Sequence, residues 1–222
     1  MEKPSSSKEK IDLDESKWFR LFSNKARVLY PHSDPSHDYL HIQRVVNTAK
    51  NLCTAEHGDW AVVMPAAFFH DYINVPKKDP RRPYASRLSA EAAIEYLRSV
   101  HYPEEHLEPI RHAIEAHSYS ADIKPESIEA KIVQDADRLD SLGAIGIARC
   151  FATSTLMNRP FYAEEDPWAE NRDLDDKNYG IDHFFIKLFK IVDHLNTETA
   201  KKEGQHRVAF IRTYLDQIKR EI

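Results

Sequence analysis

Glycine is scarce in this sequence, with five in 222 residues, and the apolar spacing is helical almost throughout. That combination argues against a turn-rich β architecture, and the expected fold class is all-α. The two cysteines, Cys53 and Cys150, sit singly inside apolar helical patterns. They exclude a CxxC site and suit a reducing compartment. No run of eighteen apolar residues exists, so no spanning helix is expected. Residues 1–16 are rich in Lys, Ser and Glu and lack the apolar stretch of a signal peptide. A formal net charge of -5 gives no overall pull towards nucleic acid or anionic lipid, although local basic clusters matter more than the sum. There is no repeat and no linker. The expectation is a cytoplasmic protein with no membrane or nucleic-acid partner, made of a flexible tail (1–16) and a single helical domain (17–222), with a homodimer allowed for.

The apolar spacing marks a first helix through Trp18, Phe19, Phe22, Ala26 and Leu29, ended by Pro31 and Pro35. Ser36 or Asp38 can cap a second, whose stripe runs through Ile42, Val45, Val46, Ala49 and Leu52, with His41 beside it. The spacing predicts a third helix from Trp60 to about Asp71, a fourth from Ser89 to Val100, and a fifth from Pro103 to about His117. A further helix from Pro125 is expected to reach Ala148 or beyond, and two more, 181–196 and 199–220, close the chain. Tyr72 to Leu88 is irregular and basic. Asn158 to Tyr179 is an acidic and aromatic insertion of a length often used for a lid or binding element.

The chain is organised around Phe68-Phe69-His70-Asp71, where an apolar run delivers an imidazole and a carboxylate to its end. Burying both costs free energy unless they are paired or bind a metal. Further ligands are on offer in His41 upstream and in Asp135, Asp137 and Asp140 downstream. Two imidazoles and two carboxylates suit borderline divalent ions such as Mn, Fe, Co, Ni or Zn better than Ca, and can leave positions open for water and substrate. Periodicity does not choose among the three aspartates.

Taken together, His41-Ile42-Gln43-Arg44-Val45, Phe69-His70-Asp71 and the string Gln134-Asp135-Ala136-Asp137-Arg138-Leu139-Asp140 resemble the HD superfamily of metal-dependent phosphohydrolases over roughly residues 36–150. The resemblance implies an all-α fold and one divalent ion (Mn, Fe, Co, Ni, Zn or Mg) held by His41, His70, Asp71 and Asp137. It prefers Asp137 because the family's last ligand usually sits in an Ala-Asp-Arg-Leu string. Asp135 and Asp140 then become supporting groups, for example holding an imidazole.

Departures from the family's subgroups narrow the reading. The guanosine tetraphosphate hydrolases place a Glu-Asp pair three and four residues after the His-Asp pair, and the bacterial 5′-nucleotidases a Glu three residues on; here those positions are Asn74 and Val75. The helix after the pair opens without the His-Pro of binuclear cyclic-dinucleotide phosphodiesterases, which argues against a second metal and leaves His112 and His117 as extra imidazoles. What remains looks most like the stand-alone bacterial HD proteins, some of which are nucleoside triphosphate pyrophosphohydrolases. The implied substrate is a phosphorylated small molecule, a nucleotide first, hydrolysed by metal-activated water that Asp71 orients. Lys78, Arg82 or His117 would assist the leaving group, and Arg44, Lys77 and Arg82 would contact the phosphates.

Plainer readings stand beside these. His37 can cap or lie on the surface, and His117 can interact with the negative end of its helix dipole. Lys77 to Arg87 can be a solvated loop, Arg44 can pair with Asp140, and the Phe151 to Trp168 aromatics suit packing better than base stacking. From a different functional class, the alternative to an enzyme is an HD-like module that senses a nucleotide without turning it over.

Overall fold

Trp60–Phe69, here α3, contains no charged residue, and a helix apolar on every side belongs in the middle of a fold. Every residue from Val62 to Phe69 is buried. The structure, a computed structural model, describes residues 15–30, 38–75, 79–118 and 121–222, and among these the regular elements are all helical. Around α3 pack α1 (Glu15–Leu29), α2 (Tyr39–Ala55), α5 (Leu107–His117) and α6 (Ile128–Leu139), while α4 (Ala85–Ser99) lies mainly on α5. Helix α7 (Gly143–Leu156) and the short α8 (Asp182–Ile186) follow, and the long α9 (Glu198–Glu221) crosses α7 and α6.

Pro65 sits inside α3 and cannot donate the hydrogen bond that Ala61 would otherwise accept. The Tyr102 hydroxyl donates to the Ala61 carbonyl instead, at 2.6 Å, so the central helix keeps its buried backbone satisfied. Polar side chains start α2 and α6: Asp38 accepts from the His41 amide at 2.9 Å, and Ser127 accepts from the Ala130 amide at 3.1 Å. The Asp38 cap fixes where His41 falls in the first turn of α2. Ser36, His37 and the prolines at 31 and 35 lie outside the described residues, as do Lys77 and Lys78.

Several expected boundaries differ. Helix α1 begins at Glu15, inside the expected tail; the stretch expected to be irregular to Leu88 holds a 3-10 turn, Arg82–Tyr84, and the first turn of α4 from Ala85; and a 3-10 turn, Glu104–His106, stands between Pro103 and α5. Helix α3 stops at Phe69, with His70 as its C-cap and Asp71 in the following turn. The helix expected from Pro125 to beyond Ala148 is two helices. The amides of Asp140, Ser141 and Leu142 bond three residues back in a tightened last turn, and Gly143 then takes a φ of +70°, which glycine adopts at little cost. Arg207 on α9 donates to the Leu139 carbonyl at 2.7 Å, holding the break open from outside. The helix expected over 181–196 is α8 followed by a 3-10 stretch, Leu188–His194.

The insertion before α8 is folded onto the body. Phe151 stacks on Phe161 and Phe184, and Arg172 grips the fully buried Asp182 with bonds of 2.6 and 3.0 Å. Tyr162 and Trp168 pack partly buried against the core, while Phe161 touches Phe151 edge-on and stays half exposed. No helix among the described residues is long and apolar enough to cross a membrane.

Candidate metal centre

The break after α6 points Asp140 back at α2. Its Oδ2 accepts from His41 Nδ1 at 2.7 Å, and Arg44, one turn further along α2, donates to both carboxylate oxygens at 2.6 and 3.0 Å. Arg149 on α7 adds a third clamp at 2.6 Å. Burial would raise the Asp140 carboxyl, but the bonds from His41 and Arg44 hold it down at about 2. An ionised partner at Nδ1 makes that nitrogen of His41 the donor and turns Nε2 towards Asp137 Oδ1, at 3.5 Å.

His70 is oriented in the same sense by backbone. Its Nδ1 donates to the Ala67 carbonyl at 2.9 Å, leaving the lone pair on Nε2. That nitrogen is fully buried and has no hydrogen-bond partner. It lies 3.7 Å from Asp71 Oδ2 and 3.8 Å from Asp137 Oδ1. Burial pushes the ring's pKa down to about 4, so it is neutral at pH 7. His117, the last residue of α5, repeats the pattern: Nδ1 donates to the Ile114 carbonyl at 2.6 Å and Nε2 lies 3.5 Å from Asp71 Oδ1. Burial alone would lower its pKa, but the Asp71 carboxylate outweighs it and the net direction is upward.

Three imidazoles from α2, α3 and α5 thus turn Nε2 towards two carboxylates, at the end of α3 and in the last turn of α6. The donor atoms of His41, His70 and Asp71 all lie within 4.8 Å of one another, and Asp137 joins both histidines at the distances above. A buried lone pair facing carboxylates, with its tautomer fixed from behind, fits a divalent cation better than any arrangement of protons.

Of the residues expected from sequence, His41, His70, Asp71, Asp137 and His117 are brought together. Arg82 lines the adjoining cavity while donating to the Val75 carbonyl at 2.6 Å. Arg44 is engaged by Asp140, and Lys77 and Lys78 fall outside the described residues. Asp135 faces away: it is fully buried and accepts from the amides of Asn196 and Thr197 and from the Thr197 hydroxyl, which anchors the start of α9. His112 accepts from the Glu126 amide at 3.0 Å and takes no part in the centre.

From the centre a cavity of about 510 Å³ opens between α7 and the insertion. Arg149, Thr153 and Met157 line it at successive turns of one helix face, a spacing visible in the sequence but not assigned there. Arg159, Asp176, Lys177, His183 and Lys187 form its other end. His183, for which the sequence suggested no partner, bonds to Asp176 Oδ2 through Nδ1 at 2.9 Å.

An all-helical bundle with imidazoles and carboxylates from separate helices turned on one point, beside an open cavity, defines a helical protein with a histidine–aspartate metal site. The chain belongs to the HD domain superfamily: the HD domain family matches residues 38–142. It is 32% identical to the protein YpgQ of Bacillus subtilis over 190 residues, covering 84% of each chain. The crystal structure of B. subtilis YpgQ in complex with ADP is similar over 93% of this chain and 96% of that one, with a TM-score of 0.72 and 30% identity. An HD-superfamily hydrolase from Bacillus thuringiensis matches with a TM-score of 0.72 and 29% identity, over 93% and 97% of the two chains. Fold and family support metal-dependent phosphohydrolysis as the general class.

Proposed function

We propose that this protein hydrolyses a nucleotide as a metal-dependent phosphohydrolase, with nucleoside triphosphates cleaved to monophosphate and pyrophosphate as the preferred reaction. The observation that carries the reading is the buried, unbonded Nε2 of His70, aimed with His41 at Asp71 and Asp137 where the cavity begins. His41, His70, Asp71 and Asp137 would hold the ion. A divalent cation there supplies Lewis acidity towards a phosphoryl oxygen and brings the pKa of water towards neutrality.

The chain's own groups do the remaining work. Asp140 and the Ala67 carbonyl keep two rings in the ligating tautomer. The cavity is also wide enough for a nucleotide, and the ADP bound by YpgQ supports a ligand of that class. His117, whose Nε2 lies 3.5 Å from Asp71 Oδ1, would hold a proton and orient the attacking water or protonate the leaving oxygen. Arg82 is assigned to substrate phosphate, and Lys77 and Lys78 stay candidates from the sequence. Arg44 is assigned to Asp140, because its guanidinium is already engaged there.

The test is the purified protein with Mn and a panel of nucleotides, read for phosphate and pyrophosphate separately. Pyrophosphate with monophosphate, abolished by His70→Ala and Asp71→Ala, is the expected result. Free phosphate alone would make it a phosphatase. The rival reading, a nucleotide-sensing module, draws on Asn74 and Val75 standing where two related subgroups place acids or an acid; it predicts bound metal and nucleotide with no product.

A further inference from the structure

The far end of the cavity carries three cations, Arg159, Lys177 and Lys187, against one lining carboxylate, Asp176. Arg159 is only 8% exposed. Its guanidinium donates to the Ser154 hydroxyl at 2.8 and 3.2 Å and to the Asp176 backbone carbonyl, all neutral acceptors. The Asp176 carboxylate, on the same wall, is hydrogen-bonded by His183 rather than by the guanidinium, and leaves the end with a net positive charge. Lys177 and Lys187 stand on the same rim, and among the described residues none of these three cations forms a salt bridge. A guanidinium nine-tenths buried without an acid is costly unless an anion completes it. Elsewhere in this segment such a charge is matched, as Arg172 is by Asp182.

This end is also well separated from the metal centre. Arg149 reaches Asp140 beside His41, whereas Met157 lies at the other end of the same α7 face. The eight residue steps from Arg149 to Met157, the C-cap of α7, rise about 12 Å. One phosphoryl group cannot touch both ends.

We infer that Arg159, Lys177 and Lys187 form a second anion subsite, which holds a phosphoryl group of the substrate remote from the one being hydrolysed. The preferred substrates are therefore polyphosphorylated, and monophosphates, which fill only the metal end, bind more weakly. The inference rests on the phosphohydrolase reading for its substrate but not for its binding chemistry. It also moves the main phosphate contacts from the basic loop at 77–87 to the wall formed by the insertion and α8.

Titrating the full chain with inorganic tripolyphosphate and with orthophosphate, each with and without Mn, separates the two ideas. The Lys177→Ala/Lys187→Ala double variant changes two exposed side chains, so its fold is safe; Arg159→Gln removes the buried charge while retaining an amide donor. Both should weaken tripolyphosphate at least tenfold and leave Mn affinity unchanged. In turnover the double variant should raise KM for a nucleoside triphosphate far more than it lowers kcat. Tripolyphosphate affinity unchanged in both variants, or no tripolyphosphate binding by the wild type, overturns the subsite. Charge-dependent binding in a protein that hydrolyses nothing keeps the subsite and removes the enzyme; hydrolysis with unaltered binding does the reverse.

Discussion

His41 and Asp140 lie 99 positions apart and share a 2.7 Å hydrogen bond that decides which imidazole nitrogen faces the metal centre. Asp140 can do this because α6 stops one residue before it, and because Arg44 and Arg149 keep it ionised at a buried position.

Asp140→Ala should therefore weaken Mn binding by about 10–100-fold although Asp140 touches no metal, the usual cost of losing a partner behind a ligating imidazole. Metal titration measures it, with circular dichroism confirming that the helices persist. Unchanged affinity would mean that His41 does not need this support.

Asp135 and Asp137, two residues apart, should behave oppositely. Asp135→Ala leaves the Asn196 and Thr197 amides without their acceptor and should cost about 3 kcal/mol or more in urea unfolding, while metal affinity is kept. Asp137→Ala, at a side chain 30% exposed, should change stability little and abolish tight Mn binding. The reverse result would give Asp135 the ligand role.

Metal should stabilise the fold through His70. At a free Mn concentration near one hundred times Kd, linkage predicts about 2.7 kcal/mol of added stability for the wild type, seen as a higher Tm. His70→Ala should show no such gain. An equal gain in both proteins would place the binding elsewhere.

Arg172 should act as the clasp of the cavity wall. Arg172→Ala leaves the Asp182 carboxylate buried without its partner, a change that costs about 3–5 kcal/mol when such a pair is broken. The expected outcome is new protease cleavage within 158–180 while Mn affinity is retained. Wild-type resistance in the variant would show that Phe151, Phe161 and Phe184 hold the wall without it.

The helices and the candidate ligands were legible because each is written locally or in short strings, although choosing Asp137 among the three aspartates took the family resemblance. The all-round apolar Trp60–Phe69 reads as a central helix, and His70-Asp71 at its end reads as a site. The split between α6 and α7 was not legible: residues 128–148 keep a helical apolar pattern, and the break depends on the turn at Asp140–Leu142 and on Arg207 arriving from α9. The cationic wall was hidden for a similar reason. Lys77 to Arg87 draws the eye as a cluster in sequence, whereas Arg149, Arg159, Lys177 and Lys187 are scattered and meet only around the cavity.

By itself the sequence determined the helical class, the cap that sets the second helix in register, and the side chains able to take a divalent ion, since all of these depend on neighbours within a turn or two. Tertiary structure alone decided that Asp135 anchors a helix while Asp140 orients His41, and that an acidic, aromatic insertion walls a cavity with cations. Those outcomes depend on which distant groups compete for a carboxylate or a guanidinium once the helices pack, a choice that no local pattern encodes.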